Sequence, residues 1–203
     1  MFRFKQFAVR QDRCPMKVGT DGVLLGAWAP VLPSDRRVLD IGTGTGLIAL
    51  MMAQRMPQAR IAGVDIDDVS QARENADASP WGARLEFHRC PVQEFAAGGA
   101  FDLIVSNPPY VPQSDRAAMH VNVRDYEPPE ALFVPDDDPL RFYRAIGRAA
   151  RRLLRPDGRL WFEIYERLAD ETARLLADEG FGDIAVRRDI NDKPRILCCT
   201  ARK

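Results

Sequence analysis

The chain is poor in the residues that build metal sites and cross-links. Its 203 residues include four cysteines and two histidines. Cys14, Cys90, Cys198 and Cys199 show no Cys-x-x-Cys spacing, and no histidines cluster with them. That argues against a zinc site and leaves no disulfide framework. Adjacent Cys198 and Cys199 lie in a terminal strand-like run and are expected to be inert core thiols. No apolar run approaches the ~20 residues of a membrane-spanning helix. No signal peptide precedes the charged start, so the sequence predicts a cytoplasmic protein. Basic and acidic residues balance at 29 each, so the total charge announces no nucleic-acid partner. Internal repeats and low-complexity tails are also missing. What is there is an ordinary globular composition, 46% hydrophobic and 29% charged, in a length that suits one domain with a substantial core.

Asn107-Pro108-Pro109-Tyr110 is the most informative stretch. Ahead of it, Phe101–Ser106 reads as a short buried strand. Two successive prolines can neither continue a ladder nor enter a helix interior, so the backbone after Asn107 is a stiff extended turn. An amide is thereby held at the carboxyl end of a strand, with an aromatic ring three residues on. This suits a flat group that carries an NH2. The Asn107 side-chain oxygen and the Pro108 carbonyl can accept hydrogen bonds from the amine while Tyr110 stacks on its plane. Drawing both amine hydrogens toward acceptors favours a pyramidal nitrogen whose lone pair can attack. Asn107, Pro108, Pro109 and Tyr110 are therefore the candidate catalytic residues. The competing reading is a strand-ending Pro-Pro turn with a capping Asn, since four-residue motifs match by accident.

Upstream, Asp40-Ile41-Gly42-Thr43-Gly44-Thr45-Gly46 follows the strand-like Arg37-Val38-Leu39 and precedes an apolar helix, Leu47–Ala53. Strand, glycine-rich turn and helix in that order form the nucleotide-cradling half of a doubly wound sheet. The glycines allow close approach of a ligand, and the helix start offers free N–H groups. Asp40 would repel a pyrophosphate but attract an amino-acid ammonium. The next strand, Arg60–Val64, ends at Asp65, nineteen residues past Gly46. An acid there can take both ribose hydroxyls. The pattern favours S-adenosylmethionine over a dinucleotide. The expected cofactor residues are Asp40, Gly42, Thr43, Gly44, Gly46, Asp65, Ile66, Cys90 and Asn107, with Thr20 and Asp21 approaching the methionine end. Cys90 stands where a carboxylate for the adenine amino group would be expected. His88 alternates with Leu85 and Phe87 and reads as solvated rather than catalytic.

In residues 1–29, Arg3, Lys5, Arg10, Arg13 and Lys17 interleave with Phe2, Phe4 and Phe7. Such alternation can track a phosphate backbone and stack on bases, or can be a hairpin whose phenylalanines cap the core. Lys5 and Phe7 are substrate-contact candidates on the first reading. Thr20 and Asp21 are placed to cap a helix over Val23–Ala29. Asp68–Ala78 reads as a helix with Asp68 and Ser70 as competing caps. The long connection Val111–Pro139 would overhang the carboxyl edge of the sheet, where an acceptor enters. Arg124 and Tyr126 within it are candidates for the acceptor-side wall. A helix over Leu140–Leu154 carries Arg141, Arg144, Arg148, Arg151 and Arg152, with Arg155 just beyond. These could bind RNA phosphates or form a solvated face. Arg155–Gly158 reads as a turn before a strand over Arg159–Ile164. A helix over Leu168–Glu179 stops at Gly180, and Ile184–Arg188 with Pro194–Thr200 reads as a hairpin.

These motifs resemble the Rossmann-like S-adenosylmethionine-dependent N-methyltransferases. The segments from Phe4 to Trp28 and on to Ser79-Pro80-Trp81 are similar to the tRNA adenine-N6 methyltransferases of the valine-tRNA type. Asn122–Pro128, Ala131–Phe133, Phe142–Ile146 and Arg187–Asp189 are similar to the release-factor glutamine methyltransferases, which carry a helical domain for which this chain has no room. The resemblance implies an α/β fold with a doubly wound, mostly parallel seven-stranded sheet and a C-terminal antiparallel hairpin. It divides the chain into an N-terminal segment with its first helix, 1–29, and a methyltransferase domain, 30–203. It implies methyl transfer to a planar amino or amide nitrogen, with adenine N6 of tRNA as acceptor. The alternative is a release-factor glutamine; a remoter one is a non-catalytic cofactor- or RNA-binding module.

Overall fold

The computed structural model describes residues 1–14, 16–118 and 129–202. The chain opens with a small hairpin, β1 (Phe2–Arg3) and β2 (Ala8–Val9), and reaches helix α1 (Thr20–Trp28). Strands and helices then alternate: β3 (Arg37–Ile41), α2 (Leu47–Arg55), β4 (Arg60–Asp65), α3 (Ser70–Asp77) and β5 (Leu85–Arg89). β6 (Phe101–Ser106) returns to the middle of the sheet, and β7 (Val111–Pro112) pairs with β8 (Phe133–Val134). The C-terminal third is α4 (Arg141–Leu153), β9 (Leu154–Glu163), α5 (Ala169–Asp178), β10 (Phe181–Arg188) and β11 (Pro194–Ala201).

The seven-stranded sheet runs β10-β11-β9-β6-β3-β4-β5. β3 is parallel to β4 and to β6, β4 to β5, and β6 to β9. β11 runs antiparallel between β9 and β10. This is the doubly wound sheet with a terminal hairpin that the sequence predicts. The central strands are near-continuous apolar runs because helices cover both faces; every residue of β6 is buried. One layer packs Leu25, Met52, Ala72 and Trp161; the other packs Tyr143, Ile146, Phe162 and Leu176. From β3 the chain turns to β4 on one side, and β6 fills the other. That reversal opens a crevice at the carboxyl ends of β3 and β6.

Several boundaries differ from the sequence reading. Helix α1 starts at Thr20 with Gly19 as its cap and no side-chain cap bond, so Thr20 and Asp21 are first-turn residues rather than caps. Helix α3 starts at Ser70, whose N–H and hydroxyl both donate to the Asp68 carboxylate, at 3.0 and 2.6 Å. Asp68 thus serves the helix end from just outside it. The expected Arg155–Gly158 turn is an excursion inside β9: pairing jumps from Phe101–Leu154 to Leu103–Arg159, and Asp157 takes φ 61°. Of the terminal thiols, Cys199 is buried and Cys198 half-buried. Among the described residues no helix is long and apolar enough to cross a membrane.

Candidate active site

Strand register assembles the site. Ile41 pairs with Ser106 and with Val64, Ser106 with Phe162, and Asp65 with Arg89. One residue further along each strand gives a row across the carboxyl edge: Glu163, Asn107, Gly42, Asp65 and, beyond it, Cys90. The Ser106 hydroxyl donates to the Ile41 carbonyl at 2.7 Å and fastens the two strand ends beneath the crevice.

The glycine turn has the backbone that its residues dictate. Gly42, Gly44 and Gly46 take φ of 73, 52 and 80°, the left-handed region that glycine enters without a Cβ penalty. Nothing lies within 4 Å of where a Cβ at Gly42 would stand, so the turn leaves open space there. Asp40 is wholly buried beneath it. Its Oδ2 accepts from the Thr43 hydroxyl at 2.7 Å and from the Ala49 N–H in the first turn of α2 at 3.1 Å. Among the described residues its Oδ1 has no hydrogen-bond partner. Burial pushes the Asp40 carboxyl up to about 7 against these two hydrogen bonds. Thr43 is turned inward to Asp40, where it braces the turn.

Asp65 stands at the end of β4. Its Oδ2 accepts from the Gly44 N–H at 2.8 Å and its Oδ1 from the Asp67 N–H at 3.1 Å, which leaves a lone pair on each oxygen for a ligand hydroxyl. Ile66 follows with 66% of its surface exposed, an apolar side chain in the open beside the acid. The Cys90 N–H donates to the Asp65 carbonyl at 2.8 Å, so Cys90 borders the same edge. This set fits S-adenosylmethionine: an unpartnered buried carboxylate oxygen for the ammonium, a bare glycine turn, an acid for the ribose and an exposed apolar surface for the base.

On the other side of the crevice, Asn107 is half-buried, and among the described residues nothing hydrogen-bonds its amide. The two prolines lead to Tyr110, whose N–H donates to the Leu132 carbonyl at 3.2 Å. The Tyr110 hydroxyl donates to Glu163 Oε1 at 2.7 Å. Its ring lies near-parallel to that of Tyr165, 6.0 Å between centroids and 18° between planes. Tyr110 is thus anchored at its tip as well as by its backbone. A cavity of about 230 Å³ opens beside it, lined by Tyr110, Asp115, Tyr165, Arg167 and Arg195 among others. Tyr165 donates to Asp115, and that carboxylate helps to push the Tyr165 hydroxyl up to about 12, after burial itself.

Sequence reasoning missed Glu163 and Tyr165. Glu163 is fully buried, and among the described residues no donor reaches its Oε2. Burial, followed by the charge of Asp21, pushes its carboxyl up to about 8. Asp21 therefore lies against the Tyr110–Glu163 pair, joining the first helix to the Asn-Pro-Pro-Tyr elbow. A strand ending in Leu-Trp-Phe-Glu gives no sign that its last carboxyl is sealed in.

Other expected residues lie elsewhere. Phe7 is buried, stacked on Phe4 at 4.5 Å and edge-on to Trp81 at 5.5 Å, so it belongs to the core and presents no face to a substrate. Lys5 is exposed. Thr20 is exposed at the start of α1. Arg124 and Tyr126 lie outside the described residues. The arginine row is largely committed within the protein: Arg144 to Asp138, Arg148 to Glu179, Arg151 to the Arg202 carbonyl, Arg152 to the Phe95 carbonyl and Arg155 to Asp102. The His88 side chain is 43% exposed, with its ring tilted against Phe95.

Residues 23–124 match the family model described as the methyltransferase small domain. The chain is 43% identical over 198 residues to the tRNA1(Val) (adenine(37)-N6)-methyltransferase of Yersinia pestis, covering 95% of this chain and 75% of that protein. It is 43% identical over 169 residues to the release factor glutamine methyltransferase of Bacteroides thetaiotaomicron, covering 81% of this chain and 60% of that protein. The fold is similar to that of the ribosomal protein L11 methylase of Lactobacillus delbrueckii subsp. bulgaricus, with a TM-score of 0.61 at 18% identity over 90% of this chain and 77% of the other.

Proposed function

The chain belongs to the methyltransferase small-domain family, and from that premise we propose that it methylates the N6 amine of an adenine beside the anticodon of tRNA. The observation that carries this reading is the register of β3 and β6. It sets the Asn107 amide next to Gly42, across the crevice from Asp65. When bound, S-adenosylmethionine supplies an electrophilic methyl group. Asp65 would hold the ribose hydroxyls, Ile66 and Cys90 would border the base, and Asp40 Oδ1 would face the ammonium.

The chain's own residues then present the acceptor. The Asn107 oxygen and the Pro108 carbonyl accept the two hydrogens of its NH2 and turn the nitrogen lone pair toward the glycine turn. Tyr110 lies against the acceptor's plane. No strong base is needed, because the nitrogen loses its proton only after it has been alkylated. Alignment supplies most of the acceleration, which reaches ~7–11 kcal/mol for well-oriented groups. Residues 1–29 belong to the acceptor side of the site and 30–203 to the methyltransferase domain proper. A tRNA acceptor would place the protein in the cytoplasm.

Support for tRNA over a protein acceptor comes from coverage: the tRNA enzyme of Yersinia pestis aligns with 95% of the chain, the release factor enzyme with 81%. The second reading, N5 methylation of a release-factor glutamine, is favoured by the likeness of the residues after Val111 to that family. A tritiated-methyl transfer assay offering bulk tRNA and release factor side by side separates them. Label in tRNA, recovered as N6-methyladenosine, is the expected result. Label in the release factor alone selects the second reading, and label in neither, with S-adenosylmethionine still bound, points to a non-catalytic module.

A further inference from the structure

The group beneath the Asn-Pro-Pro-Tyr elbow is a carboxyl sealed from solvent. Glu163 ends β9 at the strand neighbouring β6, so the register that places Asn107 also places Glu163 beside it. Its side chain is fully buried. One oxygen accepts the Tyr110 hydroxyl at 2.7 Å; no donor among the described residues reaches the other, and the Asp21 carboxylate is the carboxyl's remaining hydrogen-bonding neighbour. Its backbone carbonyl is 3.3 Å from the Tyr143 hydroxyl, which in turn accepts the Tyr165 N–H at 3.2 Å. Both tyrosines whose rings face each other at the cavity beside the elbow are thus tied to the end of this one strand. Burying a carboxyl costs free energy unless something fixes it there, and a purely structural role would be filled as well by an apolar residue, as elsewhere in β9.

We propose that Glu163 is a positioning residue for the methyl acceptor, acting through Tyr110: by holding the Tyr110 hydroxyl it fixes the plane of the ring against which the acceptor's flat group lies. Asn107 and the Pro108 carbonyl fix the amine, and the ring fixes the rest of the acceptor. Without the tether, the ring can swing about its Cα–Cβ and Cβ–Cγ bonds while the elbow stays in place. The upward shift of the Glu163 carboxyl agrees with this role, because a neutral carboxyl can accept from Tyr110 without leaving a second negative charge beside Asp21. This inference rests on the methyl-transfer reading.

The test compares Glu163→Leu, Glu163→Gln, Tyr110→Phe and the double variant Glu163→Leu/Tyr110→Phe with the unaltered protein. Methyl transfer to its acceptor is measured alongside S-adenosylmethionine affinity by calorimetry. Misplacing a reacting group by about 1 Å can cost on the order of 10²-fold. Glu163→Leu and Tyr110→Phe are each expected to lower kcat/KM for the acceptor by about tenfold or more, with cofactor affinity changed less than about twofold. The double variant should be no worse than the poorer single one, since both remove the same tether. Glu163→Gln keeps an oxygen for the Tyr110 hydroxyl and should regain most of the loss.

Multiplying losses in the double variant would overturn the proposal, as would a Glu163→Gln as impaired as Glu163→Leu. A Tyr110→Phe with undiminished kcat/KM overturns it even if Glu163→Leu does not fold. An unaltered protein that methylates neither tRNA nor release factor refutes the underlying reading instead, a separate outcome visible before any variant is made.

Discussion

Gly44 and Asp65 are joined on one side of the crevice: the Gly44 N–H donates to Asp65 Oδ2 at 2.8 Å. The turn and the acid of the neighbouring strand are therefore one unit. Asp65→Ala removes the proposed ribose acceptor and loosens the turn at the same time. Hydrogen bonds to charged groups contribute ~1.5–3 kcal/mol, so affinity for S-adenosylmethionine should fall roughly 10- to 100-fold. Calorimetry measures this directly. An unchanged dissociation constant would refute the ribose assignment.

Gly63 sits in β4 directly under the turn. A Cβ there would come within 2.5 Å of the Phe87 ring and 2.8 Å of the Thr43 hydroxyl, which braces Asp40. Gly63→Ala is expected to lower stability by ~1–3 kcal/mol through overpacking. Cofactor affinity should fall too, because Thr43 must move. Denaturant unfolding and calorimetry give the two numbers. Full stability with weakened binding would mean that the strain is carried by the turn alone.

Glu163 gives stability a definite pH dependence. Its carboxyl ionises near 4.5 in the unfolded chain and near 8 in the fold, where Asp21, Tyr110, Tyr143 and Arg195 surround it. Between those values the folded state holds a proton that the unfolded state has lost. The contribution is therefore whole below about 4.5 and is lost as pH rises to about 8. Glu163→Gln has no such proton, so its melting temperature should gain on that of the unaltered protein steadily from pH 5 to 8 and level off above. Buried Asp40, raised to about 7, acts with the same sign but is common to both proteins. Melting curves at matched ionic strength read the difference, and a pH-independent gap would contradict the assignment.

Much of this site could be read from residues with narrow conformational options. Three glycines in five positions announce a turn that only positive φ can close, and two successive prolines announce an elbow that no ladder can absorb. Alternating strands and helices then fix the sheet, and the sheet fixes which strand ends are neighbours. Contacts that depend on tertiary packing were not legible. Phe7 alternates with basic residues like a base-stacking ring, yet Phe4 and Trp81 enclose it. The arginines of α4 read as either a phosphate-binding or a solvated face, but partners far apart in sequence, such as Glu179 for Arg148 and the Phe95 carbonyl for Arg152, engage them. Thr20 and Asp21 have the chemistry of caps, but the helix begins at Thr20 itself, with Gly19 in the cap position. Glu163 differs from a solvated strand-end acid only in what covers it.

Asn107 holds the central claim, and its replacement by alanine tests that claim most directly. The elbow keeps its two prolines, and the glycine turn and Asp65 are untouched. Asn107→Ala should therefore bind S-adenosylmethionine with a dissociation constant within about twofold of the original, while turnover falls by about 10²-fold or more, since acceptor alignment is lost. Turnover and cofactor affinity lost in equal measure, or turnover retained, would contradict the role given to this amide.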